Sequence, residues 1–192
     1  VEVAAVADEH AGGRAAAVKR AGAKNAYADY RQMLDKEKLD IVVIAPRWID
    51  KHHEFAMACA EHSCHMYMEK PFCPNLEQAD QVVQACEMRH LKFSIAHITR
   101  YSPQTRVVKQ LIRNGTIGDV LEVRLRGKED ARRGGGEDLW VLGTHMLDLS
   151  RSLFGDVESC FAFVREGGKR VNKDHVKSGN EGIGPLAGDH IE

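Results

Sequence analysis

Four short, near-continuous apolar runs, each separated from the next by helix-length segments, most constrain what this chain can fold into. Val1 to Ala7 closes on Asp8, Leu39 to Ala45 on Pro46, His65 to Met68 on Glu69-Lys70-Pro71, and Phe93 to Ala96 on His97. Between them, Ala15 to Ala21 reads as a helix stopped by Gly22, and Tyr30 to Leu34 as a shorter one after a minor strand near Ala26 and Tyr27. Lys51 to Glu61 reads as a helix with Phe55, Ala56, Cys59 and Ala60 on its apolar face. A further helix, from about Leu76 to Arg89, sets Leu76, Ala79, Val82, Val83 and Cys86 at helical spacing. Strands that are apolar throughout and alternate with helices belong to a parallel sheet covered on both faces.

The carboxyl ends of such strands share one rim, where α/β proteins bind their ligands. Asp8, Pro46, Glu69, Lys70 and His97 all fall on it, and a dinucleotide is the leading candidate ligand. Lys70 is aimed into the crevice by a stiff turn, and the Lys70-Pro71 bond is a candidate cis peptide. An acid in the position of Asp8 accepts hydrogen bonds from the ribose hydroxyls of NAD and repels the extra phosphate of NADP. Glu9 adds to that repulsion, whereas Arg14 opposes it. Asp8 equally suits a helix cap.

No GxGxxG turn precedes Val1, although a dinucleotide site needs one between its first strand and first helix. If Val1 to Ala7 is the second strand of such a sheet, the absent first one belongs between it and Leu39 to Ala45. The expectation is therefore a sheet with a gap at its centre, poor folding of these 192 residues alone, and weak dinucleotide binding.

Charge narrows the partners. With 27 Lys+Arg against 28 Asp+Glu there is no clustered basic surface for nucleic acid or an anionic membrane, so a small molecule is the expected partner. Apolar runs such as Ile41 to Pro46 are far too short to span a bilayer, and a cytoplasmic location is expected. Cys59, Cys64, Cys73, Cys86 and Cys160 are odd in number and lack CxxC spacing, which fits reduced, mostly buried thiols. Cys59, His62, Cys64 and His65 cluster in sequence. They straddle a helix end and a strand whose successive side chains point to opposite faces, so no metal site is expected.

Beyond His97 the pattern changes. Arg106 to Arg113 reads as a helix ended at Asn114-Gly115, Val120 to Arg126 as an alternating strand, and Lys128 to Gly136 as a glycine-rich loop suited to a substrate-side lid. Leu142 to Phe154 reads as a helix carrying His145 and stopped by Gly155, Val157 to Val164 as a strand, and Ser178 to Glu192 as a turn-rich connection. The division is a partial Rossmann domain over residues 1–98 and a partial α+β domain with an open, mainly antiparallel sheet over 99–192.

These residues carry a resemblance. Asp8 at its strand end, Ile41 to Pro46 with His52 in the following helix, Glu69-Lys70-Pro71, and Ala96-His97 with Arg100-Tyr101-Ser102-Pro103 resemble the glucose-fructose oxidoreductase, inositol dehydrogenase and MocA (Gfo/Idh/MocA) family. The similarity continues through residues 113–120 and Gly143-Thr144-His145-Met146-Leu147-Asp148-Leu149. It implies an internal fragment of a NAD(P)-dependent oxidoreductase acting on a sugar, polyol or related hydroxylated molecule, with NAD preferred over NADP. A homo-oligomer formed through the second domain's sheet goes with it. It further implies that Lys70 reaches both nicotinamide ribose and substrate, that Glu69, Pro46, His52, His97 and Asp8 contact the cofactor, and that His145 is the general acid/base.

Two positions depart from the family pattern. Val141 stands where an aspartate is common four residues before the helical histidine, and Ile98 where an asparagine is frequent. Asp148, three residues after His145, shares its helix face and could orient the ring, or could be a solvated or capping acid. The Val141 departure keeps open a NAD-assisted lyase or glycosidase without net redox, and a non-catalytic dinucleotide-sensing protein. His145 could then be no more than a helix histidine at a domain contact.

Overall fold

A computed structural model of the chain describes residues 1–46, 49–126, 139–175, 177–178, 185–186 and 190–191. The expected lid, Lys128 to Gly136, and most of the tail after Ser178 lie outside the described residues. The chain forms two compact units, one of residues 1–46, 51–68 and 75–94, the other of 47–50, 69–74 and 95–192.

In the first unit, β1 (Ala5–Ala7) pairs in parallel with β2 (Asn25–Tyr27), in register Ala5 to Asn25. The helix between them, α1 (Ala11–Ala21), is entered through Asp8, whose carboxylate accepts the His10 N–H at 2.8 Å, and is left through Gly22 in the left-handed region. A second parallel set has the order β3 (Ile41–Ile44), β4 (His65–Met68), β5 (Phe93–Ile95), with Ile41 opposite His65 and Ile44 opposite Met68. α3 (His52–Glu61) and α4 (Leu76–Met88) form the crossovers, and α2 (Tyr30–Lys36) follows β2.

Because strand side chains alternate, one face of β3 and β4 carries Val42, Ile44, Met66 and Met68 and the other carries Ile41, Val43 and Tyr67. Ile44, Met66 and Met68 are buried, as are Ala56, Cys59 and Ala60 of α3 and Val82, Ala85 and Cys86 of α4. Each large apolar side chain so buried contributes about 1.5–3 kcal/mol. Coverage of the opposite face differs from the sequence expectation: Ile41 is 61% and Val43 65% exposed. Nor is the parallel sheet continuous. Among the described residues no ladder joins β1–β2 to β3–β4–β5, the division expected when no strand pairs between β1 and β3.

Side-chain caps fix several helix starts. Asp29 accepts the Arg31 N–H at 2.9 Å and Asn75 the Gln78 N–H at 2.9 Å, each worth about 1 kcal/mol. α2 is tied to α3 through Glu54, which accepts from the Tyr30 hydroxyl at 2.9 Å and pairs with Arg31. Burial, reinforced by Glu54, pushes the Tyr30 phenol up to about 12. The Cys59-to-His65 residues are engaged separately: Cys64 Sγ points to the Leu39 carbonyl at 3.4 Å, His62 to Asp35, and His65 Nδ1 accepts the Lys92 N–H at 3.0 Å.

The second unit, besides residues 47–50, takes in the turn after β4 and continues through α5 (Pro103–Arg113), a π-type turn (Leu139–Gly143) running into α6 (Thr144–Phe154), and short antiparallel strands. Ser102 caps α5 with its hydroxyl on the Thr105 N–H at 3.2 Å, and Pro103 occupies the first helical position. β6 (Val164–Glu166) and β7 (Lys169–Arg170) form a hairpin turned by Gly167 and Gly168, both at positive φ (56° and 75°), which a two-residue turn of this hand requires. β10 (His190–Ile191) pairs antiparallel with the other side of β6, and β8 (Lys177–Ser178) with β9 (Pro185–Leu186).

Two strand expectations fail here. Val120 to Arg126 is not in a ladder, and of Val157 to Val164 only Val164 enters one. Alternation describes an extended segment but does not supply a neighbouring strand. Leu121 and Phe161, 94% and 79% exposed, show that these segments lack a packed face as well. Of the five free cysteines, Cys160 is exposed and the other four are buried.

His62, at the carboxyl end of α3, carries a pH-dependent contribution to stability. Its Nδ1 lies 2.8 Å from the Ala58 carbonyl and its Nε2 3.1 Å from Asp35 Oδ1, so both ring nitrogens face acceptors. The Ala58 carbonyl, then Asp35, raise its pKa above the usual 6.5. The folded state therefore binds the proton more tightly than the unfolded one. The stabilisation is complete below pH 6.5 and is lost as pH rises through the folded-state pKa. Thermal melts of the full-length protein across pH 5.5–8.5 are expected to show His62→Gln destabilising more at the acidic end than at the basic end. An equal loss at every pH contradicts this.

Candidate functional site

The turn that follows β4 places Lys70 in the second unit, with a cis peptide bond to Pro71 and the Lys70 N–H donating to Glu69 Oε2 at 3.2 Å. The Lys70 ammonium donates to the backbone carbonyl of Val141 at 2.7 Å. That carbonyl belongs to the π-type turn that leads into α6, a helical irregularity often found at functional sites. Lys70 is thereby held to the helix that bears His145.

His145 sits in the first turn of α6, and His97 follows β5 at the head of the short helical turn Ile98–Tyr101. Their rings lie edge to face, with centroids 5.9 Å apart and planes at 84°. Both imidazoles are held below their ordinary pKa. For His97 the chief cause is burial, with Arg100 and Lys70 adding to it and Asp148 opposing. For His145 burial is followed by the charges of Lys70 and His97, with Glu69 and Asp148 opposing. Both rings are thus neutral at pH 7, the state in which imidazole accepts a proton.

Asp148 takes a role different from orienting His145. Arg100 grips it with two nitrogens, Nε to Oδ2 at 2.9 Å and Nη2 to Oδ1 at 2.8 Å, and Nη2 also reaches the Asp148 carbonyl at 3.5 Å. The fork geometry of guanidinium on carboxylate outcompetes a single imidazole N–H. His145 Nδ1 is buried without a partner, as are His97 Nδ1 and the hydroxyl of Thr144. Buried polar atoms are ordinarily satisfied, so three orphans on neighbouring elements of one unit are what a polar ligand or water would complete. Arg100 is the residue that sequence reasoning quoted but gave no role. Its signal was a cation three residues beyond a strand-ending histidine.

The remaining candidates lie in the first unit. Asp8 keeps its carboxylate at the mouth of α1: Oδ1 takes the His10 N–H, and Arg14 Nη1 donates to the Asp8 carbonyl at 2.6 Å and to the Glu9 carbonyl at 3.4 Å. A Cβ on residue 13 would collide with Asp8 Oδ2 and lie 3.1 Å from its Cγ, so Gly13 leaves the carboxylate its place. His52 is fully buried. Its Nε2 lies 2.9 Å from the Pro46 carbonyl, which as a pure acceptor requires the proton on Nε2. That contact joins His52 to the backbone of the loop that leaves β3. Among the described residues no three His, Cys, Asp or Glu side chains gather as a metal site, and no helix is long and apolar enough to cross a membrane.

Within the second unit, a cation beside two imidazoles of lowered pKa is a set that can move a proton to or from a ligand hydroxyl.

Comparison with known proteins gives the family. Residues 1–97 match the family model described as an oxidoreductase family with NAD-binding Rossmann fold, GFO_IDH_MocA, and residues 105–179 match a GFO/IDH/MocA C-terminal domain. The D-apiose dehydrogenase of Paraburkholderia graminis is 31% identical over 165 residues, covering 81% of this chain and 44% of that protein. The myo-inositol 2-dehydrogenase of Thermotoga maritima is 25% identical over 170 residues, covering 84% and 49%. A solved levoglucosan dehydrogenase in complex with NADH and L-sorbose shares the fold with a TM-score of 0.79 at 24% identity, over 86% of this chain and 47% of that one. The chain spans about half the length of the relatives it matches.

If Lys70 depresses the two imidazoles as described, Lys70→Met in the full-length protein should raise the pKa of both His97 and His145, leaving burial, with Arg100 acting on His97 and His97 on His145, as the residual depression. Histidine-resolved NMR titration reads this directly. Unchanged titration of both rings excludes the assignment.

Proposed function

This chain belongs to the Gfo/Idh/MocA family of NAD(P)-binding oxidoreductases, and we propose that the full-length protein is a NAD-dependent dehydrogenase of a sugar, polyol or related hydroxylated small molecule. The observation that carries this reading is the Lys70 ammonium, fixed on the Val141 carbonyl, in the same unit as two imidazoles kept neutral by burial and by its own charge. The substrate class is supported by the inositol, apiose and levoglucosan dehydrogenases among the relatives.

When bound, NAD supplies the hydride acceptor. The protein's part is to remove the hydroxyl proton as the carbonyl forms. Neutral His145 accepts that proton, and its lowered pKa keeps it competent below the usual histidine range. Lys70 stabilises the developing alkoxide and lowers the pKa of the hydroxyl it faces. Asp8 receives the ribose hydroxyls of the adenosine half, which favours NAD over NADP. His52 holds the loop after β3 through the Pro46 carbonyl, and Glu69 would help to hold the reacting end of a bound NAD. The division at residue 98, a cytoplasmic location and self-association through the second domain's sheet belong to the same proposal.

Val141 favours one second reading. With no acid at that position, a substrate carbonyl formed transiently could be reduced again after elimination, so that NAD is retained and no net redox occurs.

The test is a screen of sugars and polyols with NAD+ and the full-length protein, followed by Lys70→Ala and His145→Gln. Net NADH formation is expected, with kcat lowered about 10²–10⁴-fold in each folded variant. Turnover without NADH release establishes the second reading. Undiminished turnover in both variants removes these residues from the chemistry.

A further inference from the structure

We propose that His97 and His145 act as a proton-sharing pair, in which the proton that His145 takes from the substrate hydroxyl passes to His97, so that His97 serves where the sequence offers Val141 in place of an acid. This rests on the dehydrogenase reading above and adds a positioning residue to it.

Three observations lead there. First, the rings are 5.9 Å apart at their centroids and nearly perpendicular. One water or hydroxyl, bonded at about 2.8 Å to a nitrogen on each side, spans nitrogens up to about 5.6 Å apart, a reach comparable with the 5.9 Å between the ring centroids. Second, each ring has its Nδ1 buried and without a partner, a costly state that a bridging hydroxyl relieves on both rings at once. Third, the surrounding charges make the two rings unequal. Around His97 the strongest charge effect is that of Asp148, which favours the imidazolium, with Arg100 and Lys70 opposing. Around His145 the strongest is Lys70, which disfavours it, with His97 opposing too and Glu69 and Asp148 favouring it more weakly. The charges thus favour His97 over His145 as the holder of the proton, while burial disfavours the charged form of both.

The proton balance is simple. The carbinol carbon loses a hydride, with its electron pair, to the nicotinamide dinucleotide, and the hydroxyl oxygen loses a proton to neutral His145. The resulting imidazolium releases a proton from its other nitrogen to the bridging water, which gives one to His97 Nδ1. His145 is neutral again and His97 carries the charge, beside the Arg100-held Asp148 carboxylate. In the reducing direction each transfer reverses. No acid is required at residue 141, whose contribution is the carbonyl that anchors Lys70.

The experiment is a histidine-resolved NMR titration of the full-length protein, first without substitution, then as His97→Gln and His97→Asn, with pH–rate profiles alongside. In the unsubstituted protein the two rings are expected to titrate interdependently, each in two steps. In either variant His145 should titrate in a single step, kcat should fall at least about tenfold, and free imidazole should restore part of it. Independent single-step titration of both rings in the unsubstituted protein overturns the pair, while leaving the dehydrogenase reading intact if His145→Gln is inactive. Interdependent titration with no NAD-linked oxidation or elimination of any sugar or polyol overturns the dehydrogenase reading and the relay with it. The two failures are thereby told apart.

Discussion

The hydrogen bond from the Lys70 ammonium to the Val141 carbonyl is the interaction on which the candidate site depends. It places a positive charge beside two partly buried imidazoles, and that charge, added to burial, keeps both rings neutral. A neutral ring accepts a proton, and a cation close by stabilises the oxygen that gives it up. The same bond ties the turn after β4 to the turn before α6, segments 71 positions apart in the chain. The bond therefore positions the site and also tunes its pKa values.

Strong local patterns proved the legible part of the fold. His65 to Met68 is a strand over the residues expected, and the helix read from Leu76 to Arg89 runs Leu76–Met88, because a capping Asn75 and helical apolar spacing act within the segment itself. The break in the sheet was legible too, since it follows from counting strands and glycine-rich turns. Val120 to Arg126 was misread for the opposite reason: a strand exists by virtue of a neighbour, and alternation within one segment says nothing about whether a neighbour is there. The bare Ile41 and Val43 face belongs with it, because coverage is a property of what packs against a strand.

The site divides along the same line. Lys70, His97 and His145 could be named from their places at strand ends and on a helix, and the structure gathers all three in one unit. What sequence could not supply were contacts made by backbone atoms and the choices between rival partners. Val141 looked like a loss because its side chain carries no charge, yet its carbonyl anchors Lys70. Asp148 looked available to His145 by helical spacing, but Arg100 binds it at two points. Gly13 drew no attention, although a side chain there would displace the Asp8 carboxylate.

In the proposed site one ligand hydroxyl is shared by the Lys70 ammonium and the His145 imidazole. A crystal structure of the full-length protein with NAD+ and a bound polyol tests this most directly. The expected result is a single hydroxyl oxygen within about 3.2 Å of both Lys70 Nζ and a His145 ring nitrogen. A bound polyol whose hydroxyls meet neither group, with Lys70 and His145 turned to separate surroundings, contradicts the claim.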